Sequence, residues 1–173
     1  MNKLLYVLGL LVACYIGGAV TYNFMDGYQQ LKPETEVFQK TEKVVESTNV
    51  YDLFTLVNKE RSKRKLSPLL LDESLNKSAL DKCEDMIKRN YWSHETPKGE
   101  EPWVFIEKYE PGYIKAGENL AKGFENSDKV VEGWMASETH RKNIVDSEYN
   151  HVGYGVCSED FGQQRVVQHF VYL

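Results

Sequence analysis

Residues 152–172, VGYGVCSEDFGQQRVVQHFVY, decide the fold class of this 173-residue chain. The runs 152–157 and 165–172 are short and rich in β-branched and aromatic residues, which is typical of β-strands. A turn around residues 159–162 separates them, so we predict a terminal β-hairpin. Gly153 and Gly155 would share one strand face, which indicates that another backbone or a ligand approaches that face closely.

Two helices are predicted at the start of the same domain. Apolar residues from 53 to about 65 follow a helical repeat, and Ser67-Pro68 ends it because a residue before proline avoids helical dihedrals. Asp72 is a suitable N-cap for a second helix with one apolar face. Cys83 lies on that face, so we expect a buried thiol rather than a reactive or bridged one.

The middle of the chain predicts two more helices and two loops. Residues 103–109 form a short helical pattern, and Ser127 can cap a helix that runs to about Glu138. His94, His140 and the Gly117-Glu118-Asn119 segment are expected on polar loops, where scaffold-held functional groups are often found. Helices followed by a hairpin indicate an α+β domain whose helices cover an antiparallel sheet.

The N-terminal segment differs in composition from the rest. Residues 4–22, LLYVLGLLVACYIGGAVTY, carry no charge and are long enough to cross a bilayer as a helix. Lys3 precedes this segment, so the positive-inside bias places the remainder outside the cytoplasm. We predict a single-pass transmembrane signal-anchor over residues 1–24, a polar spacer over 25–49 and a folded domain over 50–173. A cleaved signal that releases a secreted domain, and a lipoprotein box ending at Cys14, are the alternatives.

Composition argues against several classes of protein. Lys and Arg total 21 against 26 Asp and Glu, so the chain has no basic excess to hold nucleic acid. The three cysteines are too few for a disulfide-dense scaffold, and they form no CxxC pair. Cys83 and Cys157 could still pair with each other, although their spacing does not fix their separation. No Gly-x-Ser-x-Gly elbow occurs, and Ser74-x-x-Lys77 lacks the partner motifs of penicillin-interactive enzymes.

Three residues have the chemistry of a site. His94, Glu118 and His140 supply two imidazoles and one carboxylate, a metal-ligand set with an open position if they converge in space. His169 falls inside an apolar strand, where a hydrogen-bonded structural imidazole is expected. His151 has no acidic pattern around it.

Six short motifs follow one another along residues 58–155: Asn58-x-x-Arg61, Leu69-x-x-Asp72-x-x-Leu75, Ser93-His94-x-x-Pro97-x-Gly99, Gly117-Glu118-Asn119-Leu120-Ala121, Trp134-x-x-Ser137-x-x-His140-Arg141-x-Asn143-Ile144 and Val152-Gly153-x-Gly155. In this order they resemble the bacterial CAP domain (cysteine-rich secretory protein, antigen 5, pathogenesis-related 1), also called SCP, over about residues 51–172. The resemblance implies an α-β-α sandwich with a mainly antiparallel central sheet. It also implies a cleft of two histidines and two acidic residues that in several members binds a divalent cation, often zinc.

Carried over residue by residue, the resemblance assigns His94, Glu118 and His140 to the metal site. The fourth, acidic position is Ser137 in this chain, with Glu138 next to it. Three ligands remain, which implies a weak or adventitious metal site.

Ser137 and Glu138 are expected to support the cleft, and Asn119 and Arg141 are expected to brace it by hydrogen bonding. We expect no nucleotide or organic cofactor, and zinc as the most suitable of the divalent metals. We predict a membrane-tethered, extracytoplasmic binding module for a small ligand or an envelope component. The alternatives are a metal-dependent extracellular peptidase or esterase, with Glu118 or Glu138 as general base, and a structural or adhesive role in the envelope. We favour binding over catalysis because a fold-level cleft is weak support for an enzyme.

Overall fold

The computed structural model describes residues 47–158 and 162–173. Within these ranges it has five helices and four strands: α1 (Val50–Ser62), β1 (Leu70–Leu71), α2 (Glu73–Lys88), α3 (Trp103–Tyr109), β2 (Lys115–Lys122), α4 (Ser127–Ala136), α5 (Glu138–Ile144), β3 (His151–Ser158) and β4 (Gln164–Tyr172). The predicted anchor, nearly all of the predicted spacer and most of the hairpin turn lie outside the described residues. In the part that is described, no helix is long and apolar enough to span a bilayer.

The four strands form one mixed sheet in the order β1-β3-β4-β2. β3 and β4 pair antiparallel, which confirms the predicted hairpin, and β4 also pairs antiparallel with β2. β1 adds a short parallel edge to β3. The sheet is therefore mainly antiparallel, as the resemblance implies.

The Gly117-Glu118-Asn119 segment lies in the middle of β2, so the loop prediction for it was wrong. The sequence KAGENLAK contains no β-branched or aromatic residue, so it carries no local strand signal. Its extended conformation is set by pairing with β4, from Lys115 opposite Tyr172 to Lys122 opposite Arg165. Such long-range pairing is invisible to local patterns.

Helix boundaries follow local capping chemistry. Asp72 caps α2 as predicted, because its Oδ1 accepts from the backbone N–H groups of Ser74 and Leu75 at 2.7 and 3.1 Å. α4 is capped by Asn126 rather than the predicted Ser127, whose hydroxyl instead accepts from the Asn49 N–H. α1 ends three residues earlier than expected, at Ser62.

A break at Ser137 separates α4 from α5. The residue has extended backbone dihedrals, with φ −87° and ψ 126°, and α5 begins immediately after it. His140 consequently lies on a helix, and the prediction that it occupies a loop was wrong. The continuous polar run His140-Arg141-Lys142-Asn143 hides this helix, because apolar periodicity gives no signal there.

Helices cover both faces of the sheet. One layer is formed by α1, α4 and α5, whose core includes Leu53, Trp134 and Ile144 against Val152 and Phe170 of the sheet. On the other face, α2 and α3 pack on β2, β3 and β4. This is the α-β-α arrangement that the resemblance implies.

α2 rests directly on the backbone of β3. A Cβ atom at Gly153 would lie 2.3 Å from the Leu75 carbonyl carbon, and one at Gly155 would lie 2.3 Å from that of Ala79. The predicted close approach at these glycines is confirmed, and the approaching group is a helix. Four helical residues rise about 6 Å and two strand residues about 6.6 Å, so both elements advance in step.

The next pair in this register is Cys83 and Cys157, which form a disulfide with a Cα–Cα distance of 6.1 Å. The expectation that Cys83 is a free buried thiol was therefore wrong. Its burial on the apolar face of α2 is as predicted, but that face lies against the strand that carries Cys157. Burial alone could not distinguish the two states, because 74 residues separate the cysteines in sequence.

Candidate functional site

Glu118 is a buried carboxylate whose two oxygens each contact an imidazole. Its Oε1 lies 2.6 Å from Nδ1 of His94, and its Oε2 lies 3.0 Å from Nε2 of His169. An ionised carboxylate only accepts hydrogen bonds, so both rings donate to it. The strand register explains one contact, since Glu118 of β2 is directly opposite His169 of β4.

His169 is held on its other side by Ser78 of α2. The Ser78 Oγ lies 2.8 Å from His169 Nδ1, and both residues are completely buried. Because Nε2 donates to Glu118, Nδ1 of a neutral ring accepts a hydrogen bond from the Ser78 hydroxyl. The expectation of a hydrogen-bonded structural histidine is confirmed, but sequence reasoning missed that its partner is Glu118.

His94 lies on the loop between α2 and α3, as predicted, and its side chain is 54 % exposed. Lys82 of α2 holds this loop: its Nζ donates to the His94 carbonyl at 2.6 Å and to the Tyr91 hydroxyl at 3.2 Å. The Tyr91 hydroxyl in turn donates to Asp85 at 2.6 Å. The exposed imidazole is thus carried by a loop that a buried ammonium group fixes.

The charges of these groups shift one another's pKa. Burial by itself would raise the pKa of Glu118, but the hydrogen bonds from His169 and His94 outweigh it, so this pKa is lowered. The hydrogen bond to Glu118 raises the pKa of His94 against the effect of burial. Burial lowers the pKa of Lys82, which the nearby Glu118 charge opposes. The site therefore holds an ionised carboxylate in a desolvated position.

His140 approaches the site from α5 and is half-buried. Burial, and after it the charge of His94, lowers the pKa of His140. Asn119 of β2 donates to the His140 carbonyl at 3.2 Å, and Asn143 of α5 donates to the Glu118 carbonyl at 3.0 Å. These amide contacts join α5, which carries His140, to β2, which carries Glu118. We call His94, Glu118 and His169, together with His140 on the adjoining helix, the imidazole site.

The remaining predicted residues make contacts within their own segment. Ser137 Oγ lies 3.1 Å from Thr139 Oγ1, and the exposed Glu138 pairs with Lys142 at 2.8 Å. Arg141 donates to the Met135 carbonyl at 2.8 Å. Each contact spans six residues or fewer and serves the α4–α5 connection.

The donor set suits Zn²⁺ chemically, but its arrangement does not fit a common ion. Both oxygens of Glu118 accept hydrogen bonds from imidazole N–H groups, so this carboxylate orients His94 instead of facing an open coordination position. Across residues 47–158 and 162–173, no three His, Cys, Asp or Glu side chains are grouped to hold a metal ion. The metal assignment of these residues stays a prediction.

An apolar groove of about 380 Å³ lies elsewhere, lined among others by Tyr51, Leu80 and Val156. Its lining does not include the residues of the imidazole site. The candidate site is therefore identified by its hydrogen-bonded histidine and glutamate side chains and not by this groove.

Comparison with known proteins agrees with the fold and its motifs. The Bacillus subtilis uncharacterized protein YkwD is 44 % identical over 100 residues, which cover 58 % of this chain and 39 % of YkwD. The uncharacterized membrane protein YlbC of the same organism is 33 % identical over 133 residues, covering 77 % of this chain and 38 % of YlbC. The chain thus spans less than half the length of these relatives.

A crystal structure of an extracellular SCP-domain protein from Bacillus anthracis superposes with a TM-score of 0.65 at 28 % identity, covering 72 % of this chain and 40 % of that one. The model of the CAP family, described as the cysteine-rich secretory protein family, matches residues 54–171. That match includes α1 apart from its first turn, the four strands apart from the last residue of β4, and every residue of the imidazole site. The chain belongs to the CAP, or cysteine-rich secretory protein, family.

Proposed function

We propose that this CAP domain is an extracytoplasmic binding module whose imidazole site holds a small ligand or an envelope component. The observation that carries the proposal is the 2.6 Å hydrogen bond between His94 and the buried Glu118. It fixes the ring with Nδ1 turned inward, which leaves Nε2 of a half-exposed imidazole for a ligand. His140, on the neighbouring helix, supplies a second imidazole.

The proposal includes attachment to the outer face of the cell membrane. The uncharged run 4–22 supports this location, and relatives described as a membrane protein and as an extracellular protein are consistent with it. Zinc belongs to the proposal only as a weak occupant of the two imidazoles, with Glu118 outside its coordination shell.

The test is native mass spectrometry of the full-length chain purified from its own envelope. We expect a retained small-molecule mass that His94→Ala and His140→Ala both lose. His151→Ala is the matched control, because His151 hydrogen-bonds Asn150 outside the site and should keep the ligand. Equal retention in all three variants would contradict the proposal.

The His94–Glu118 pair also favours a second function, hydrolysis of an extracellular peptide or ester. A carboxylate that orients an imidazole and raises its pKa is the arrangement of a general base. Ser78 is fully buried and hydrogen-bonded to His169, so it cannot reach a substrate. The nucleophile would therefore be a water molecule activated by His94.

Hydrolysis is tested with peptide and ester substrates on the full-length chain. Glu118→Gln removes the carboxylate that orients His94 as the base, and should lower the rate by about 10²- to 10⁴-fold, the usual contribution of a positioned base. Glu138→Gln, which changes an exposed carboxylate paired with Lys142, should leave the rate unchanged. Activity that survives Glu118→Gln with the fold intact would come from a contaminant or another site.

A further inference from the structure

We propose that Ser78 and His169 are positioning residues that fix the tautomer of His94 through Glu118, so that the imidazole site presents a hydrogen-bond acceptor to its ligand. The proposal rests on the imidazole site being the binding site. It deepens that function by naming the class of group recognised: a hydroxyl or amide N–H that donates to His94 Nε2.

The first step is the continuity of the hydrogen bonds. Ser78 Oγ lies 2.8 Å from His169 Nδ1, His169 Nε2 lies 3.0 Å from Glu118 Oε2, and Glu118 Oε1 lies 2.6 Å from His94 Nδ1. Among these four hydrogen-bonded side chains, the carboxylate alone cannot donate, so it fixes which group donates in each of the three hydrogen bonds. A neutral His94 then carries its proton on Nδ1 and accepts at Nε2.

The second step is that the buried end of this series of hydrogen bonds, formed by Ser78 and His169, is rigid. His169 and Ser78 are fully buried, and His169 pairs with Glu118 on one side and with Gly153 on the other. α2, which carries Ser78, cannot shift toward the sheet because its backbone already touches Gly153. A ring that turned away from Glu118 would leave buried polar atoms without partners, which is costly.

The third step is that the outer end is not fixed by packing alone. The His94 side chain is 54 % exposed, and Lys82 holds its backbone carbonyl rather than its ring. The orientation of the ring therefore depends on Oε1 of Glu118. That oxygen is aimed at His94 because Oε2 is anchored on His169.

The experiment is long-range ¹H–¹⁵N NMR of the full-length chain with ¹⁵N-labelled histidine, in detergent and without ligand. The pH is alkaline, so that His94, whose pKa is raised by its hydrogen bond to Glu118, is neutral. We expect the wild type to show His94 as the Nδ1–H tautomer. In His169→Leu the Glu118 carboxylate loses the anchor of Oε2 and is free to turn away from His94, so this signal should be lost in favour of the Nε2–H form. His169→Gln should rescue it, because a glutamine amide can still donate to Glu118. The resonances of His151, outside the network, report whether the fold is intact.

An unchanged His94 tautomer in His169→Leu would overturn the proposal. If that variant does not fold, Ser78→Ala decides: the proposal requires a mixed His169 tautomer and a partial loss of the His94 Nδ1–H signal, and wild-type signals overturn it. Ser74→Ala on the same helix is the matched control and should change neither ring. The measurement needs no ligand, so its failure is distinguishable from the absence of a retained mass in the binding experiment.

Discussion

Gly153 of β3 lies so close to Leu75 of α2 that a Cβ atom at position 153 would come within 2.3 Å of the Leu75 carbonyl carbon. The contact is backbone on backbone, and it sets the distance between the helix and the sheet. At this distance Ser78 reaches His169 and Cys83 reaches Cys157. The close contact at Gly153, and the same contact between Gly155 and Ala79, thus allow both the disulfide and the Ser78–His169 hydrogen bond.

Gly153→Ala should destabilise the domain by about 1 to 3 kcal/mol or more, because the added methyl group meets backbone that cannot move aside. Urea denaturation measures the change. Gly133→Ala is the matched control: the nearest atoms to its Cβ belong to the tip of the Phe124 ring, which is partly exposed and can rotate. Alanine there should be neutral or stabilising by up to about 1 kcal/mol. Equal stability of the two variants would refute the close approach.

Arg61 should be among the most sensitive positions outside the site. Its buried guanidinium donates to the carbonyls of Ser67 at 2.9 Å, Ile144 at 2.9 Å and Asp146 at 2.7 Å, and so joins the end of α1 to the end of α5. Arg61→Met keeps the apolar stem but leaves these carbonyls without a donor, so we expect a loss of about 3 kcal/mol or more in urea denaturation.

The control for Arg61 is Arg64→Met, three residues along the same segment. Arg64 is exposed and pairs with Glu60 at 2.7 Å, so its replacement should cost less than about 1 kcal/mol. Similar losses of unfolding free energy in both variants would mean that the buried hydrogen bonds of Arg61 do not stabilise the domain more than an exposed ion pair does. The Asn58 side chain likewise hydrogen-bonds both the N–H and the carbonyl of Leu69. The motif Asn58-x-x-Arg61 therefore has a structural role, which is to hold neighbouring segments against α1.

The Cys83–Cys157 disulfide should contribute strongly to stability. It closes a loop between residues 74 apart, for which the chain-entropy model predicts about 4 kcal/mol. Unfolding in urea with and without dithiothreitol measures the contribution. The Cys83→Ala/Cys157→Ala double variant should not respond to the reductant. A thiol count that finds both cysteines free in the folded, non-reduced protein would contradict the pairing.

Zinc binding tests the sequence-based metal assignment. Titration of the full-length chain with Zn²⁺ alone should show weak binding that falls at least tenfold in His94→Ala and in His140→Ala, because each variant removes one imidazole. His151→Ala should bind like the wild type. If all four proteins have equal affinity, the metal assignment fails, and the imidazole site is a hydrogen-bonding site only.

Local patterns predicted those parts of the fold whose cause is local. The hairpin strands carry β-branched residues, Asp72 has the side chain of a cap, and the Gly153-x-Gly155 spacing announces a close approach. β2 was missed because its conformation comes from pairing with β4, which is distant in sequence: the paired residues Asn119 and Gln168 are 49 positions apart. The disulfide was missed for the same reason, since it depends on how α2 lies across the sheet.

The imidazole site was half predictable. His94, Glu118 and His140 follow from donor chemistry and from the order of the CAP motifs. His169 and Ser78 do not, because an apolar strand and an apolar helix face surround them in sequence. Recognising β2 as a strand would have placed Glu118 beside His169, since both lie on the sheet face that α2 covers.

Acid should weaken the domain through Glu118. Its pKa is lowered in the folded state, so its stabilising contribution is complete above its ordinary value of 4.5 and is lost as the pH falls through the folded value. The pKa of His94 is raised, so its contribution is complete below 6.5 and is lost as the pH rises through the folded value. The pair should therefore stabilise most between about pH 4.5 and 6.5. Free energies of unfolding measured from neutral pH to well below pH 4.5 should fall more steeply on the acid side in the wild type than in Glu118→Gln, while Glu138→Gln follows the wild type. Parallel curves for the wild type and Glu118→Gln would show that the buried carboxylate is not ionised when folded.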